Sequence, residues 1–310
     1  MTIACVFPGQ GSQSIGMLAD LAAAYPEVEE TFKICSDALD YDLWQLTQEG
    51  PEAQLNRTDR TQPAMLAAGV AVWQLWHRNH GTIPSFLAGH SLGEYTALVC
   101  AGSIELASAA RLVAERGRYM QEAVPAGQGA MAAILGLDDE IVRTVCEQAA
   151  QDEVVAAVNF NSPGQVVIAG NSNAVGRAIE IAKQSGAKRA VLLPVSVPSH
   201  CSLMRPAAER LALYLHDIEI KLPSIPVFSN VDAKPHDTQQ GIRDALMRQL
   251  TSPVRWVEII RAMAGKGVRS IVECGPGKVL VGLNKRIDRD MTALPVQDPG
   301  TLNEALSATA

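Results

Sequence analysis

The chain has 310 residues, of which 47% are hydrophobic and 19% charged, so it can bury the core of one large domain or two modest ones and is not a disordered chain. A formal net charge of −7 gives no reason to expect a nucleic-acid partner. The six cysteines are scattered without a Cys-x-x-Cys pair, which predicts neither a zinc site nor a disulfide framework and favours reduced thiols in a cytoplasmic protein. The start of the chain lacks the features of a signal peptide, and the apolar stretch 64–76 is too short to cross a bilayer, so no membrane role is predicted.

The first 125 residues alternate strand and helix patterns. In chain order, the predicted elements are a buried strand at 3–7, a loop at 8–13, helices up to about residue 48, a helix at 62–80, a short buried strand at 85–88, a turn at 89–93 that leads into a helix, and a helix at 105–123. Strands that alternate with helices, together with frequent glycine and few aromatic residues, predict an α/β fold with a mainly parallel sheet.

Residues 126–194 show a different order of elements. The predicted elements are a strand at 130–135, a helix capped by Asp138-Asp139 and running to about residue 150, a hairpin of strands 154–158 and 165–169, a helix at 173–185 and a strand at 189–193. This β-α-β-β-α-β order is the ferredoxin-like pattern. Proline and glycine residues bracket it, so we interpret it as a small insert in a core formed by 1–125 and 195–310, whose later strands are predicted at 227–229 and 270–273.

The segment Gly89-His90-Ser91-Leu92-Gly93 matches the Gly-x-Ser-x-Gly pattern of a nucleophile elbow. It follows a predicted strand and precedes a predicted helix, which is the context that an elbow requires. The small residues on either side of Ser91 let strand and helix pack closely, and the helix N-terminus favours a developing negative charge. Because the bare pattern is short, a chance strand–turn–helix junction is the alternative.

A nucleophilic serine needs a base, and His200 is the candidate among the six histidines. It lies in Pro198-Ser199-His200-Cys201, between a predicted strand and a predicted helix, and it follows the serine in chain order as in hydrolase-like folds. By position alone, a buried and hydrogen-bonded loop histidine is an equal alternative. His90 is adjacent to Ser91 but should point away from the nucleophile on a sharp turn.

Arg116 is the most informative charged residue. It lies at the edge of the apolar stripe of the helix at 105–123, beside Gly117. A guanidinium on a buried face needs a partner, because an unpaired buried charge is costly. Two partners are open at this point: a structural carboxylate, or a substrate carboxylate held bidentately in a small gap above Gly117.

Two glycine-rich motifs do not fit nucleotide sites. Gly9-Gln10-Gly11 follows the first strand, but Ser14 occupies the third glycine position of a dinucleotide fingerprint. Gly275-Pro276-Gly277-Lys278 is similar to a phosphate loop, but Val279 replaces the Ser or Thr that would hold magnesium. We therefore expect neither a nucleotide cofactor nor a metal. The loop at 8–13 instead offers backbone N–H groups near the carboxyl end of a strand, which could form half of an oxyanion hole.

Together these motifs resemble the malonyl-CoA:acyl carrier protein transacylases of bacterial fatty-acid synthesis. The segments that carry the resemblance are Val6-Phe7-Pro8-Gly9-Gln10-Gly11-Ser12-Gln13, Gly89-His90-Ser91-Leu92-Gly93-Glu94-Tyr95, Glu115-Arg116-Gly117, Asn159-Phe160-Asn161-Ser162-Pro163-Gly164-Gln165, Pro198-Ser199-His200-Cys201, Arg248-Gln249-Leu250 and Gly275-Pro276-Gly277-Lys278. Several motifs in the right order are far more specific than the elbow alone, and only the tail after about residue 290 gives no match. The resemblance implies a hydrolase-like α/β core with a ferredoxin-like insert, in agreement with the pattern of elements.

The resemblance also implies a catalytic machinery. Ser91 would be the nucleophile, His200 its base, and the backbone carbonyl of Gln249 the group that orients His200. The backbone N–H groups of Gln10 and Leu92 would form the oxyanion hole, each donor contributing roughly two to three orders of magnitude in rate.

The implied substrates are malonyl-CoA and acyl carrier protein. Arg116 would bind the free carboxylate of the malonyl group, with Asn159 and Gln165 as further substrate-binding residues. The reaction would follow a ping-pong scheme through a malonyl-serine intermediate. Coenzyme A is carried in as part of the substrate, so no cofactor is expected, and the resemblance favours a monomer.

Three alternatives to this function are kept. A serine esterase or thioesterase needs only the elbow and a base, and it would leave Arg116 and the turn at 159–165 unexplained. A free-standing acyltransferase that serves polyketide synthase carrier proteins would share nearly every motif. A non-catalytic module that binds carrier proteins is disfavoured by the intact Ser91 and His200.

Overall fold

The computed structural model describes residues 2–195 and 197–310. The first part of the chain forms β1 (Ile3–Phe7), α1 (Ala19–Ala24), α2 (Glu27–Leu39), α3 (Leu43–Glu49), α4 (Glu52–Leu55), α5 (Thr58–Arg78), β2 (Phe86–Gly89), α6 (Gly93–Cys100) and α7 (Leu106–Ala123). The middle part forms β3 (Gly129–Leu135), α8 (Asp139–Ala150), β4 (Val155–Ser162), β5 (Gln165–Asn171), α9 (Ser172–Gln184) and β6 (Arg189–Leu192). After a 3-10 turn at Ser202–Met204, the last part forms α10 (Arg205–His216), β7 (Val227–Phe228), α11 (Gln239–Gln249), α12 (Trp256–Gly265), β8 (Ser270–Cys274), α13 (Val279–Ile287), β9 (Thr292–Val296) and α14 (Pro299–Thr309).

The larger sheet is parallel and has the strand order β7-β2-β1-β8-β9. Its central strand β1 is apolar on both faces. Ile3, Cys5 and Phe7 pack in the cluster that includes α5. Ala4 and Val6 pack in a second cluster with α12. A parallel strand with both faces covered requires such a continuous apolar run, and the predicted α/β fold with a mainly parallel sheet is confirmed.

The smaller sheet is antiparallel and has the order β4-β5-β3-β6. α8 and α9 pack with it in one cluster, and residues of the same strands pack with Cys201 and Leu203 in another. The predicted succession of strand, helix, strand, strand, helix and strand is present between Gly129 and Leu192. Asp138 occupies the N-cap position of α8, but its side chain accepts no hydrogen bond, so the predicted side-chain cap is wrong.

Backbone hydrogen bonds attach the smaller sheet to the rest of the molecule at β4. The Val254 N–H donates to the carbonyl oxygen of Val158 at 2.9 Å, and the Phe160 N–H donates to the carbonyl oxygen of Val254 at 3.0 Å. Asn159 lies between these two bonds and is 9% exposed. The position of Asn159 is therefore set by the backbone of both parts of the fold.

α5 begins at Thr58, before the predicted start at residue 62, and ends at Arg78. Its first turn is held by the carbonyl oxygen of Arg57, which accepts from the Thr61 N–H at 2.7 Å. The early start is important for the site, because it places both Thr58 and Gln62 on the helix that faces the nucleophile.

The end of the chain forms two elements that the sequence patterns did not predict. β9 adds a parallel strand beside β8. α14 begins with a capping box, in which Asp298 Oδ1 accepts from the Thr301 N–H at 2.8 Å and Thr301 Oγ1 accepts from the Asp298 N–H at 3.1 Å. β9 contains Pro295, which suits an edge strand because proline has no N–H to donate to a further neighbour.

Three features expected from the sequence concern cysteines, metals and membranes. All six cysteines are free thiols. Within residues 2–195 and 197–310, no group of three or more metal-binding side chains is assembled. No helix in the same ranges combines the length and the hydrophobicity that a bilayer span requires.

Candidate active site

Ser91 lies on a sharp turn between β2 and α6. Its φ of +52° is in the left-handed region, where side chains are rare and strained. A Cβ on Gly89 would overlap the backbone of Gly93, and a Cβ on Gly93 would overlap the carbonyl oxygen of Phe7. The two glycines of the motif are thus required by backbone contacts, and the geometry is that of a nucleophile elbow.

Asn230 holds the elbow from the loop after β7. Its Nδ2 donates to the carbonyl oxygen of Gly89 at 2.6 Å, and its Oδ1 accepts from the Ser91 N–H at 2.7 Å. The fully buried side-chain amide of Asn230 therefore forms hydrogen bonds to the backbone at both sides of the strained turn. No local pattern marks Asn230 in the sequence, because its partner Ser91 is 139 residues away.

His200 reaches Ser91 from the segment that follows the smaller sheet. Its Nε2 lies 2.8 Å from Ser91 Oγ, and its Nδ1 lies 2.8 Å from the backbone carbonyl oxygen of Gln249. Because a carbonyl only accepts, Nδ1 carries the proton and Nε2 accepts from the serine hydroxyl. The structure therefore brings Ser91, His200 and Gln249 together, with a carbonyl in the place that a carboxylate occupies in a Ser-His-Asp triad.

The surroundings of His200 set its protonation state. Burial, helped by the nearby charge of Arg116, lowers the pKa of His200 to about 3. The imidazole is therefore neutral at ordinary pH, which is the form that can take a proton from the serine.

Arg116 is 1% exposed and lies beside the nucleophile. Its Nη1 donates to Gln62 Oε1 at 2.7 Å, and its Nη2 donates to Gln249 Oε1 at 2.9 Å and to Ser91 Oγ at 3.2 Å. Burial lowers the pKa of Arg116, but a guanidinium keeps its charge in proteins. Of the two partners considered from the sequence, no carboxylate bonds this guanidinium in the described parts of the chain, and the cation retains the capacity to bind an anion.

The sequence predicted a small gap above Gly117 for a substrate carboxylate, and this prediction is wrong. A Cβ on Gly117 would lie 2.5 Å from the carbonyl oxygen of Thr58 and 2.7 Å from the backbone of Asp59. The glycine therefore allows α7 to pack closely on the start of α5, and it leaves no room for a substrate.

The available space is a cavity of about 220 Å³ in front of Ser91. Most of the residues singled out from the sequence contribute to its lining: Gln10, Ser91, Leu92, Arg116, Asn159 and His200. Pockets for drug-sized ligands are typically about 300–1,000 Å³, so this volume suits a short acyl group rather than a whole coenzyme.

Gln10 and Leu92 line the cavity from two loops. Leu92 directly follows Ser91 at the start of α6, and Gln10 follows β1. Gly9 permits this approach, because a Cβ there would lie 2.6 Å from the carbonyl oxygen of His90. In the described residues, neither the Gln10 nor the Leu92 N–H donates to another protein group, so both are open to an oxyanion.

Asn159 and its neighbours line the side of the cavity formed by the smaller sheet. The Oδ1 of Asn159 is buried and accepts no hydrogen bond from the described residues, which makes it a free acceptor for a substrate donor. His90 also borders the cavity; its Nε2 lies 2.8 Å from Asn161 Oδ1, and its ring packs against Trp256.

Gln165 does not lie at this cavity. It starts β5 at the surface, where its Oε1 accepts from Arg286 Nη1 at 2.7 Å. The reason is the strand geometry: β4 carries Asn159 inward, and the hairpin turn then carries the chain out to solvent before Gln165. The structure therefore places Gln165 away from the cavity in front of Ser91, and its substrate-binding role stays a prediction.

Glu94 is a buried carboxylate in the first turn of α6 that sequence reasoning missed. It is 4% exposed, and its Oε2 accepts from Gln249 Nε2 at 2.8 Å and from the Asn230 N–H at 3.0 Å. Burial raises the pKa of Glu94 to about 7, although these hydrogen bonds and the charge of Arg116 act in the opposite direction. The only sequence signal for Glu94 was its place directly after the elbow motif.

The chain matches known proteins along almost its whole length. Residues 4–294 match the family model described as acyl transferase domain. Over 303 residues the chain is 57% identical to the malonyl CoA-acyl carrier protein transacylase of Escherichia coli strain K12, covering 98% of each. The solved malonyl CoA-acyl carrier protein transacylase from Coxiella burnetii has a TM-score of 0.99 at 50% identity, covering 100% of this chain and 98% of that chain. A malonyl-transacylase in complex with its type II PKS acyl-carrier protein, in the holo form, has a TM-score of 0.98 at 55% identity, covering 99% of this chain and 100% of that chain.

Geometry and similarity agree in this site. The elbow, the serine–histidine pair and the buried arginine lie together, and the matched family and relatives span nearly the full chain. The chain therefore belongs to the acyl transferase domain family and, within it, to the malonyl-CoA:acyl carrier protein transacylases.

Proposed function

We propose that this enzyme transfers the malonyl group from malonyl-CoA to the phosphopantetheine thiol of acyl carrier protein, for fatty-acid synthesis, through a malonyl ester on Ser91. The observation that carries the proposal is the position of Arg116, whose Nη2 lies 3.2 Å from Ser91 Oγ at the same cavity. A cation beside the nucleophile favours an acyl group that ends in a carboxylate. The coenzyme A thioester is a substrate, so the proposed reaction needs no further cofactor.

The first half-reaction forms the malonyl ester. Ser91 Oγ attacks the thioester carbonyl while His200 Nε2 takes its proton. The N–H groups of Gln10 and Leu92 stabilise the negative charge that develops on the carbonyl oxygen. As the tetrahedral intermediate collapses, the C–S bond breaks and the proton on His200 passes to the departing coenzyme A thiolate.

The second half-reaction uses the same groups in the reverse direction. The phosphopantetheine thiol of the carrier protein gives its proton to His200 and attacks the malonyl ester. The C–O bond to Ser91 then breaks, and the proton returns from His200 to Ser91 Oγ. The Gln249 carbonyl keeps Nδ1 protonated throughout, so Nε2 serves as base and acid in turn.

Arg116 accounts for the choice of acyl group. A malonyl carboxylate can bond to its guanidinium in place of the contact with Ser91 Oγ. An acetyl group would leave the buried cation without an anion, a penalty of about 1–3 kcal/mol or more for a charged group. We further propose that the unpartnered Oδ1 of Asn159 accepts a hydrogen bond from the substrate.

The residues of the site also bear on the alternative functions. A type II polyketide carrier protein as acceptor is a second candidate, because the relative solved with such a partner is 55% identical to this chain. A serine thioesterase needs no buried cation beside its nucleophile, and a non-catalytic carrier-binding module needs no serine–histidine contact.

We also propose the finer description of the fold and its division. The antiparallel order β4-β5-β3-β6, with two helices in one layer, supports a ferredoxin-like insert at 126–194. The elbow between β2 and α6 supports a hydrolase-like core at 1–125 and 195–310. The cytoplasmic location and the monomeric state stay predictions from the sequence.

The function is tested by following malonyl transfer in the presence of a fatty-acid carrier protein and, separately, a type II polyketide carrier protein. The enzyme should form malonyl-carrier protein with both substrates present and release little free malonate without a carrier. Malonate release at the same rate without any carrier protein would indicate a thioesterase instead. A strong preference for the polyketide carrier would favour the second candidate.

A further inference from the structure

Gln249 contributes to the site twice, and the mechanism uses only its backbone. Its carbonyl oxygen orients His200, whereas its buried side-chain amide lies among Ser91, Glu94, Arg116 and Asn230, whose Oδ1 accepts from the amide Nε2 at 3.4 Å. The amide Nε2 donates to the carbonyl oxygen of Ser91 at 2.9 Å and to Glu94 Oε2 at 2.8 Å. The amide Oε1 accepts from Arg116 Nη2 at 2.9 Å. The side chain therefore connects the carboxylate to the guanidinium.

Glu94 determines which way this amide faces. The backbone carbonyl of Ser91 only accepts, and so does the carboxylate of Glu94 above its raised pKa of about 7, so the –NH₂ group of Gln249 must lie on the side of Glu94 and Ser91. Its oxygen then faces Arg116, where it accepts a hydrogen bond. Glu94 is itself fixed by the N–H of Asn230, so it cannot easily turn away.

The interposed amide also has an electrostatic consequence. A direct ion pair between Glu94 and Arg116 would occupy the donors that a malonyl carboxylate needs. With one amide between the two charges, the carboxylate offsets part of the buried positive charge and leaves the guanidinium able to bind an anion.

We propose that Glu94 is a positioning residue that acts through the Gln249 side chain to hold Arg116 beside Ser91, and that it thereby strengthens the preference for malonyl over acyl groups without a carboxylate. Glu94 contacts neither the substrate nor the reacting atoms in this scheme. The inference rests on the function proposed above, because the preference exists only if Arg116 binds the malonyl carboxylate.

Glu273 provides a matched control for a role in stability alone. It lies in β8, is fully buried, and its carboxylate accepts from the N–H groups of Leu280 at 3.1 Å and Val281 at 2.7 Å. Burial raises the pKa of Glu273 to about 7, as it does for Glu94. The hydrogen bonds of Glu273 go to α13, so its removal should destabilise the fold without acting on Arg116.

The test compares kcat/KM for malonyl-CoA and acetyl-CoA in the full-length enzyme. Glu94→Ala and Gln249→Ala should each lower the malonyl-to-acetyl ratio about tenfold, and the double variant should lower it no further than the larger single loss, because both act through one chain of contacts. Gln249→Ala keeps the backbone carbonyl that orients His200. Glu273→Ala should lower Tm and leave the ratio at the wild-type value.

Three results would overturn the proposal: equal losses for both substrates, single losses that multiply in the double variant, or a changed ratio in Glu273→Ala. If Glu94→Ala does not fold, Glu94→Asp replaces it, because its shorter side chain draws the carboxylate away from the Gln249 amide; a wild-type ratio in that variant would also overturn the proposal. Failure of the wild-type enzyme to transfer malonyl at all would refute the proposed function, and it is distinguishable because it needs no variant.

Discussion

Arg116 donates a hydrogen bond to the hydroxyl of Ser91 at 3.2 Å, so the cation that we propose to select the substrate touches the proposed nucleophile. In the free enzyme, the hydroxyl oxygen accepts from Arg116 while its proton is directed at His200. When a malonyl carboxylate accepts the hydrogen bond from Arg116 Nη2, the Ser91 hydroxyl keeps only its hydrogen bond to His200. In the proposed mechanism, substrate recognition and activation of the nucleophile are therefore coupled through the Arg116 guanidinium.

The first prediction concerns the removal of this cation. Arg116→Ala should lower kcat/KM for malonyl-CoA by about 10²–10⁴, since breaking a buried, hydrogen-bonded charge pair costs about 2–5 kcal/mol. Acetyl transfer should be unchanged or faster, because the variant no longer has a buried guanidinium that an acetyl group leaves without an anion. Arg118→Ala is the control on the same helix, because Arg118 is half-exposed and paired with Glu115 and Glu122. Equal losses for malonyl and acetyl transfer in Arg116→Ala would remove the proposed selectivity role.

The second prediction concerns pH. The base must be neutral to act, so activity is lost as the pH falls through the pKa of His200, which burial and Arg116 lower to about 3. The acid limb of kcat/KM for acetyl-CoA should therefore lie below about pH 5 rather than near the ordinary histidine value of about 6.5. In Arg116→Ala the limb should move to higher pH, because the charge of Arg116, one of the causes of the lowered pKa of His200, is absent. A wild-type limb between pH 6 and 7 would show that His200 is not held neutral in this way.

The third prediction concerns the amide that holds the elbow. Asn230→Ala removes the bonds to the Gly89 carbonyl and the Ser91 N–H, so the protein should lose about 1–3 kcal/mol of unfolding free energy and kcat should fall. The malonyl-to-acetyl ratio should stay near wild type, because the hydrogen bonds that connect Glu94 through Gln249 to Arg116 remain, and only the long 3.4 Å contact of Gln249 Nε2 with Asn230 is lost. Asn284→Ala is the control: Asn284 is equally buried and accepts from Trp256 Nε1, so only stability should fall. Unchanged kcat in Asn230→Ala would show that the elbow keeps its shape without this amide.

The fourth prediction concerns the glycines of the elbow. Gly93→Ala places a Cβ on the carbonyl oxygen of Phe7, so the elbow must shift or the protein must fail to fold. Gly282→Ala is the control in helix α13, where a Cβ would meet no atom within 4 Å. It should raise stability by roughly 0.5–1 kcal/mol, because alanine favours a helix more than glycine does. Thermal unfolding and transfer rates measure both effects, and a fully active Gly93→Ala enzyme would contradict the close contact.

The sequence predicted those parts of the site that local patterns encode. The elbow lies within five residues, and the apolar stripe of α7 was enough to place Arg116 at a buried face. His200 was a candidate base from its position, with a structural loop histidine as an equal alternative, whereas Gln249 needed the family resemblance, since its contact with His200 joins residues 49 positions apart. The alternation of strands and helices predicted the sheet types, because apolar runs and turns report on local conformation.

The rest depended on contacts that no local pattern encodes. Asn230, Glu94 and Gln62 act through partners on distant segments, and a single sequence does not show such pairs. Gly117 was misread because a glycine beside a buried charge can serve a ligand or a neighbouring helix, and only the packing on Thr58 decides between them. Gln165 belonged to a matching motif but lies past the turn that leaves the cavity.

The central claim is tested most directly by the mass of the protein after it is mixed with malonyl-CoA in the absence of a carrier. A single malonyl group should be found on Ser91, it should persist, and holo acyl carrier protein should discharge it as malonyl-carrier protein. Ser91→Ala should acquire no malonyl group under the same conditions. A malonyl group on another residue, or transfer to the carrier by an enzyme that never carries one, would contradict the account.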